Sequence, residues 1–266
     1  MLLEGKEYED LRRAVAFLEN PSFISRITDY VGRPVEKFID YLPAPLSGKI
    51  QETVKDALDK LLIFSAGTMD VGFKGAASTA AHKVATGVSG AIGGVFGIPA
   101  LAVELPISTA IILRSIADIA RSEGEDIQTL PARMACLEVF AIGGRSSFDD
   151  AAETGYFAVR AALAKAVSDA AKHIAEKGLA GKSAPAIARL VSLLASRFGA
   201  VVSEKAAAQA IPLIGALGGA TINLLFMDHF QDVARGHFII RRLERRYGKE
   251  AVYEEYEKIR SHKGAL

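Results

Sequence analysis

Ala206-Ala-Ala-Gln-Ala-Ile-Pro212-Leu-Ile-Gly215-Ala-Leu-Gly218-Gly219-Ala-Thr-Ile-Asn-Leu-Leu-Phe-Met227 carries no charge and sets its glycines three and four residues apart. A second stretch has the same character: Gly87-Val-Ser-Gly90-Ala-Ile-Gly-Gly94-Val-Phe-Gly97-Ile-Pro99-Ala-Leu-Ala-Val-Glu104-Leu-Pro106, with one charge. Small residues at this spacing let a helix lie unusually close to another backbone, in lipid or in a protein core. Pro99, Pro106 and Pro212 cut into both stretches. Proline removes a helical hydrogen bond and disfavours helix in the residue before it. A spanning helix needs about 20 apolar residues. A carboxylate at mid-bilayer, as Glu104 would be, costs of order 2.5–3.5 kcal/mol. The two stretches therefore predict broken helices rather than clean spans, packed on each other at the centre of the fold. Gly90, Gly94 and Gly97 would meet Gly215, Gly218 and Gly219.

Outward from these stretches the apolar period is helical almost everywhere. Helices are predicted over 7–19, 22–31, 35–41, 47–64, 106–121, 131–143, 147–177, 184–198, 203–210, 213–247 and 250–259. The 47–64 segment is amphipathic, with Ile50, Val54, Leu58, Leu61 and Leu62 opposite Lys49, Glu52, Lys55, Asp56, Asp59 and Lys60. Pro106 fits a first helical position, Gly124 a C-terminal cap, and Gly143-Gly144 a helix end. Strand-type alternation with hairpin turns does not recur, so the chain is expected to be all-α. It would form a multi-helix bundle around two glycine-rich, proline-broken hydrophobic helices.

Composition bounds the function. The 266 residues are ample for one large core. A net charge of +1 gives no global field for nucleic acid. The lone Cys136 sits in an apolar run, where a buried inert thiol is expected. The opening run MLLEGKEYEDLRR has no signal-peptide core, which predicts a cytoplasmic protein whose membrane contact, if made, is peripheral. No Gly-x-x-x-x-Gly-Lys-Ser/Thr loop is present for a nucleotide, and no Gly-x-Ser-x-Gly elbow for a serine hydrolase.

Several separated pieces together resemble the EcsC family. They are Glu104-Leu-Pro106-Ile-Ser-Thr109 with Arg114 and Gly124-Glu125-Asp126; Cys136-Leu-Glu138-Val-Phe140; Asp149-Asp150-Ala-Ala-Glu153-Thr-Gly-Tyr156 with Arg160; Arg197-Phe-Gly199; Gln209 to Pro212; Asn223; His229-Phe230; His237-Phe238; and Arg242-Leu243-Glu244. The resemblance spans about residues 30–260. It implies a bacterial helical protein of undefined biochemical role, whose namesake is encoded beside an ABC transporter. On this basis the chain divides into an N-terminal helical extension, residues 1–30, and an EcsC-like domain, residues 31–262.

Two functions compete. In the first, the glycine-spaced helices bind the cytoplasmic membrane face or an ABC transporter, and Arg241, Arg242, Arg245 and Arg246 touch anionic headgroups. In the second, Glu138, Asp149, Asp150, Glu153, His229 and His237 hold a divalent metal in a helical hydrolase. These residues match no Glu-x-x-His or His-Glu-x-x-His spacing. Acids at 149 and 150 also suit the first turn of a helix capped by Ser146 or Ser147. Arg114, Arg160 and Arg242 are expected to pair internally with Glu104, Asp118 or Glu244. The Arg114/Asp118 pair on one helix would be worth about 0.2–0.5 kcal/mol if exposed.

Overall fold

The computed structural model describes residues 3–19, 23–31, 44–66, 98–144, 155–178, 184–210 and 212–263. Among these residues there are nine helices and no strand: α1 (Lys6–Leu18), α2 (Phe23–Val31), α3 (Ala44–Ala66), α4 (Ile98–Ser122), α5 (Leu130–Ile142), α6 (Tyr156–Lys177), α7 (Pro185–Ala210), α8 (Pro212–Tyr247) and α9 (Lys249–Lys263). The protein is all-α. The predicted 35–41 helix, the first glycine stretch through Gly97 and residues 147–154 lie outside the described residues.

The 36-residue α8 is the axis of the fold. At 1.5 Å per residue it is about 54 Å long. Between Ile222 and Leu243 it is buried on most of its circumference, so its neighbours surround it. Pairings along it fix their directions. Asn223, Gln231 and Arg241 meet Glu104, Ser115 and Glu125 in order, so α4 runs parallel to α8. Gly143 is close to His229 and Glu138 to His237, so α5 runs antiparallel. Asp10 meets Arg242 and Glu7 meets Arg246, so α1 is also antiparallel. Gly236 makes the α1 crossing close: a Cβ there would lie 2.6 Å from Leu18 Cγ and 3.1 Å from the Ala14 carbonyl oxygen.

An aromatic cluster joins four helices at the middle. Phe140 of α5, Phe198 of α7 and Phe230 of α8 stand with ring centres 4.9–5.5 Å apart, and Phe23 of α2 meets Phe226 at 5.3 Å. Such edge-on and tilted pairs contribute beyond their buried area, by roughly 0.5–1.5 kcal/mol each.

Three helix boundaries differ from expectation. The helix expected over 147–177 does not run through Gly155, which is extended, and α6 begins at Tyr156. α4 starts at Ile98, eight residues before Pro106, and runs through that proline. Local hydroxyls use the carbonyls there: Thr109 Oγ1 donates to Leu105 O at 2.6 Å and Ser108 Oγ to the same oxygen at 3.2 Å. Residues 184–198 and 203–210 form one helix, α7. Ser203, the expected start of a second helix, lies inside α7 and donates to Gly199 O one turn back, at 2.9 Å. The break at Pro212 is present, since α7 ends at Ala210 and α8 begins at Pro212. Gly124, with φ +81°, ends α4 as expected. Its N–H bonds Arg121 O, and the next N–H reaches back to Ala120 O.

Candidate functional site

Polar groups follow one another down α8 in three levels, with His229 and Gln231 between the first two. The first level joins the starts of α4 and α8 to the end of α7. Lys205 Nζ donates to Glu104 Oε1 at 2.8 Å, and Asn223 Nδ2 donates to the same oxygen at 3.0 Å. The Lys205 ammonium also lies over the Phe226 ring, 4.6 Å from its centre. Both members of the ion pair are buried, with side-chain exposures of 0% and 5%. Burial pulls the Lys205 pKa down, and Glu104 works against that pull. In so dry a setting the pair survives only because each charge faces the other.

One and a half turns on, His229 Nε2 donates to Gly143 O at 2.7 Å. The carbonyl can only accept, so the proton of the neutral ring is on Nε2. Burial lowers the His229 pKa to about 4, although the bond to Gly143 raises it, and nearby Arg26 lowers it further. Gln231 Nε2 donates to Ser115 Oγ at 2.9 Å, tying α8 to α4 again.

The second level centres on His237. Tyr156 OH and His237 Nδ1 are 3.0 Å apart, and Arg160 Nη1 donates to the same phenol oxygen at 3.1 Å. Arg160 also grips Glu244 with both terminal nitrogens, at 2.8 and 3.0 Å. With Arg160 donating to the phenol oxygen, Tyr156 donates to Nδ1, which places the imidazole proton on Nε2, on the side of Glu138. That nitrogen is 4.0 Å from Glu138 Oε2, beyond hydrogen-bond distance. Burial drives the His237 pKa well down, with Arg160 and Arg241 adding to the effect. Burial also raises Glu138, against the pull of Arg241 and Arg160. Cys136 is buried, and its thiol is pushed up to about 12, chiefly by burial. It is an inert core thiol.

The third level is a charge lattice at the far end of α8. Arg241 donates to Glu125 at 2.8 and 3.2 Å, and Arg245 pairs with the same carboxylate. Arg242 reaches Asp10 at 2.6 Å and Glu123 at 2.9 Å, and Arg246 reaches Glu7 at 2.7 Å. Burial pushes Asp10 up, but Arg242 and Arg13 outweigh it and hold its pKa below the usual value.

The six candidate metal ligands do not form one centre among the described residues. Asp149, Asp150 and Glu153 lie outside them. Glu138 and His237 approach each other, whereas His229 is two turns of α8 away, about 12 Å along the axis, and is engaged by Gly143. Among the described residues no three His, Cys, Asp or Glu side chains are placed to hold a metal ion. Of the packing residues, Gly90, Gly94 and Gly97 lie outside the described residues. Pro99 is the second residue of α4, Pro106 lies inside it, and Pro212, Gly215, Gly218 and Gly219 occupy the first turns of α8. Arg241, Arg242, Arg245 and Arg246 all face carboxylates. Of the pairings expected between Arg114, Arg160, Arg242 and Glu104, Asp118, Glu244, Arg160–Glu244 is present, whereas Arg242 pairs with Asp10 and Glu123. Asp118 pairs with Arg121 instead of Arg114. Lys205 was not legible as a functional residue. Its signal is the Glu204-Lys205 dipeptide inside an otherwise uncharged helical run, where a cation needs a buried partner.

A helical bundle whose central helix carries stacked, internally paired polar groups is the class defined by this geometry. Residues 6–243 match the model of the EcsC protein family. The chain belongs to that family, and α1 lies within the matched region. No curated protein and no solved structure matches the chain.

Proposed function

We propose that this EcsC-family chain works at the cytoplasmic face of a membrane, by docking an uncharged end of its bundle there rather than by catalysis. The observation that carries this reading is the Glu104–Lys205–Asn223 cluster. Among residues 98–113, 203–210 and 212–227 the charged groups are Glu104, Glu204 and Lys205, and all three are buried. The end where α4 and α8 begin and α7 finishes thus directs no charge outward from these segments. A surface of that kind avoids the cost of bringing ions toward hydrocarbon. The opposite end of α8 matches its arginines with acids, which leaves it suited to water. Among the described residues one helix is long and apolar enough to cross a membrane, within α7, but half of its most apolar window is buried inside the structure. Core helices pass the same test, so docking at the surface fits better than spanning. An ABC transporter is a second candidate for the same face, suggested by the family resemblance alone.

The test is flotation of the full chain with protein-free vesicles, in neutral phosphatidylcholine and in equal parts phosphatidylcholine and phosphatidylglycerol. Co-flotation with the anionic vesicles is expected. Protein that stays at the bottom of the gradient with both contradicts the proposal.

A further inference from the structure

We infer that the outer face of α4, formed by Ile107, Ala110, Ile111 and Arg114, is the contact with an anionic phospholipid leaflet. This rests on the membrane reading above and names its site. The four residues follow the i, i+3, i+4, i+7 pattern of one helix face. Ile107 is 50% exposed, Ala110 and Arg114 are exposed and Ile111 is partly so. Ser108, Thr109, Ile112 and Leu113 between them, and Ser115 just after, are buried, so the helix is firmly seated with this stripe outward. Among the described residues Ile107 and Tyr253 are the large apolar side chains left half in water. Isolated exposure of that sort is ordinary. Ile107 differs because of its surroundings: it lies three residues, less than one turn, past Glu104, beside the segments whose charges Glu104, Glu204 and Lys205 are buried.

Arg114 supplies the complementarity. It is exposed, and among the described residues no carboxylate pairs with it; Asp118, one turn on, is held by Arg121. Along α4 the face therefore passes from apolar to cationic over seven residues, about 10 Å of helix. The polar layer on each side of a bilayer is roughly 5–8 Å thick. Ile107 at the tops of the acyl chains would leave the long, flexible Arg114 side chain at the phosphates. A partner helix from a protein would bury the apolar stripe equally well but would need a carboxylate placed opposite Arg114, whereas an anionic leaflet offers phosphates all along its surface.

The experiment is the flotation above, repeated with Ile107→Asp, Arg114→Gln and the control Tyr253→Asp, each checked by circular dichroism for an unchanged helical signal. Ile107→Asp should lose flotation. Arg114→Gln should weaken binding to anionic vesicles about fivefold and leave any binding to neutral vesicles unchanged. Tyr253→Asp should float as the parent does. A parent protein that floats, with Ile107→Asp and Arg114→Gln floating equally well, overturns this site and leaves the membrane reading standing. A parent that floats only with native bacterial membrane vesicles, and not with protein-free lipid, assigns the face to a membrane protein and overturns it too. A parent that floats with neither removes both.

Discussion

Lys205 Nζ lies 2.8 Å from Glu104 Oε1, across 101 residues of sequence, and Asn223 Nδ2 donates to the same oxygen at 3.0 Å. The carboxylate of one apolar stretch is thus neutralised by the cation at the threshold of the other. Removing one partner leaves a buried charge alone, which costs roughly 3–5 kcal/mol. Lys205→Met is expected to lose that much in urea denaturation at neutral pH. Adding Glu104→Gln should restore most of it, because the amide oxygen still accepts from Asn223. A Lys205→Met loss below about 1 kcal/mol would contradict the buried pair.

Acid should weaken the fold before the carboxylates titrate. His229 has a pKa near 4 in the fold, against an ordinary value of about 6.5 in the unfolded chain. Between these values the unfolded chain takes up a proton that the fold refuses. The stability is therefore complete above pH 6.5 and is lost as pH falls through the window to about 4, on the order of 3 kcal/mol in all. His237 is shifted down as well and adds with the same sign. Glu138 has the opposite sign: its raised pKa favours the fold at low pH, and that contribution is lost as pH rises through its folded value. Urea denaturation from pH 4 to 8 measures the slope. His229→Gln, whose amide can still donate to Gly143 O, should flatten it; an unchanged slope counts against His229 as its source.

Space at two glycines predicts opposite outcomes. A Cβ on Gly144 would lie 2.5 Å from the backbone carbonyl carbon and oxygen of Arg197, which cannot swing aside. Gly144→Ala should destabilise by about 3 kcal/mol, the upper part of the range for overpacking. Gly48 is exposed inside α3 with nothing within 4 Å of a Cβ. Gly48→Ala should stabilise by roughly 0.5–1 kcal/mol. Thermal melts of the two variants check the contrast, and a neutral Gly144→Ala would contradict the α5–α7 approach.

The phenol of Tyr156 links Arg160 to His237. Tyr156→Phe keeps the ring but leaves His237 Nδ1 without that donor, a loss of about 1–3 kcal/mol for an unsatisfied buried group. Arg160→Lys should also destabilise, since an ammonium cannot reproduce the two-pronged bond to Glu244. Equal stability of Tyr156→Phe and parent in urea would argue against the bond.

The helical class and α8 were legible because an apolar period of 3.6 residues runs uninterrupted from Pro212 to Tyr247. α4 was misjudged at its start because a proline reads as a first helical residue, whereas here the bundle holds the helix through Pro106 and hydroxyls at 108 and 109 use the carbonyls around it. The sequence suggests two helices, 184–198 and 203–210, where α7 is one, and the Ser203 hydroxyl bonds back into that same helix. Arg160–Glu244 could be anticipated from charge types alone. Glu104–Lys205 could not, because long-range pairing depends on which helices become neighbours. Arg114–Asp118 was a fair local expectation, but Arg121 competes for the same carboxylate from one turn further on.

If α4 presents Ile107 to lipid, a fluorophore at that position reports the contact directly. The chain contains no tryptophan, so Ile107→Trp introduces a single reporter at that point. With vesicles of equal parts phosphatidylcholine and phosphatidylglycerol, its emission should shift to the blue and be quenched by lipids brominated near the top of the acyl chain. Emission unchanged by the vesicles, with no quenching, would show that Ile107 does not meet lipid.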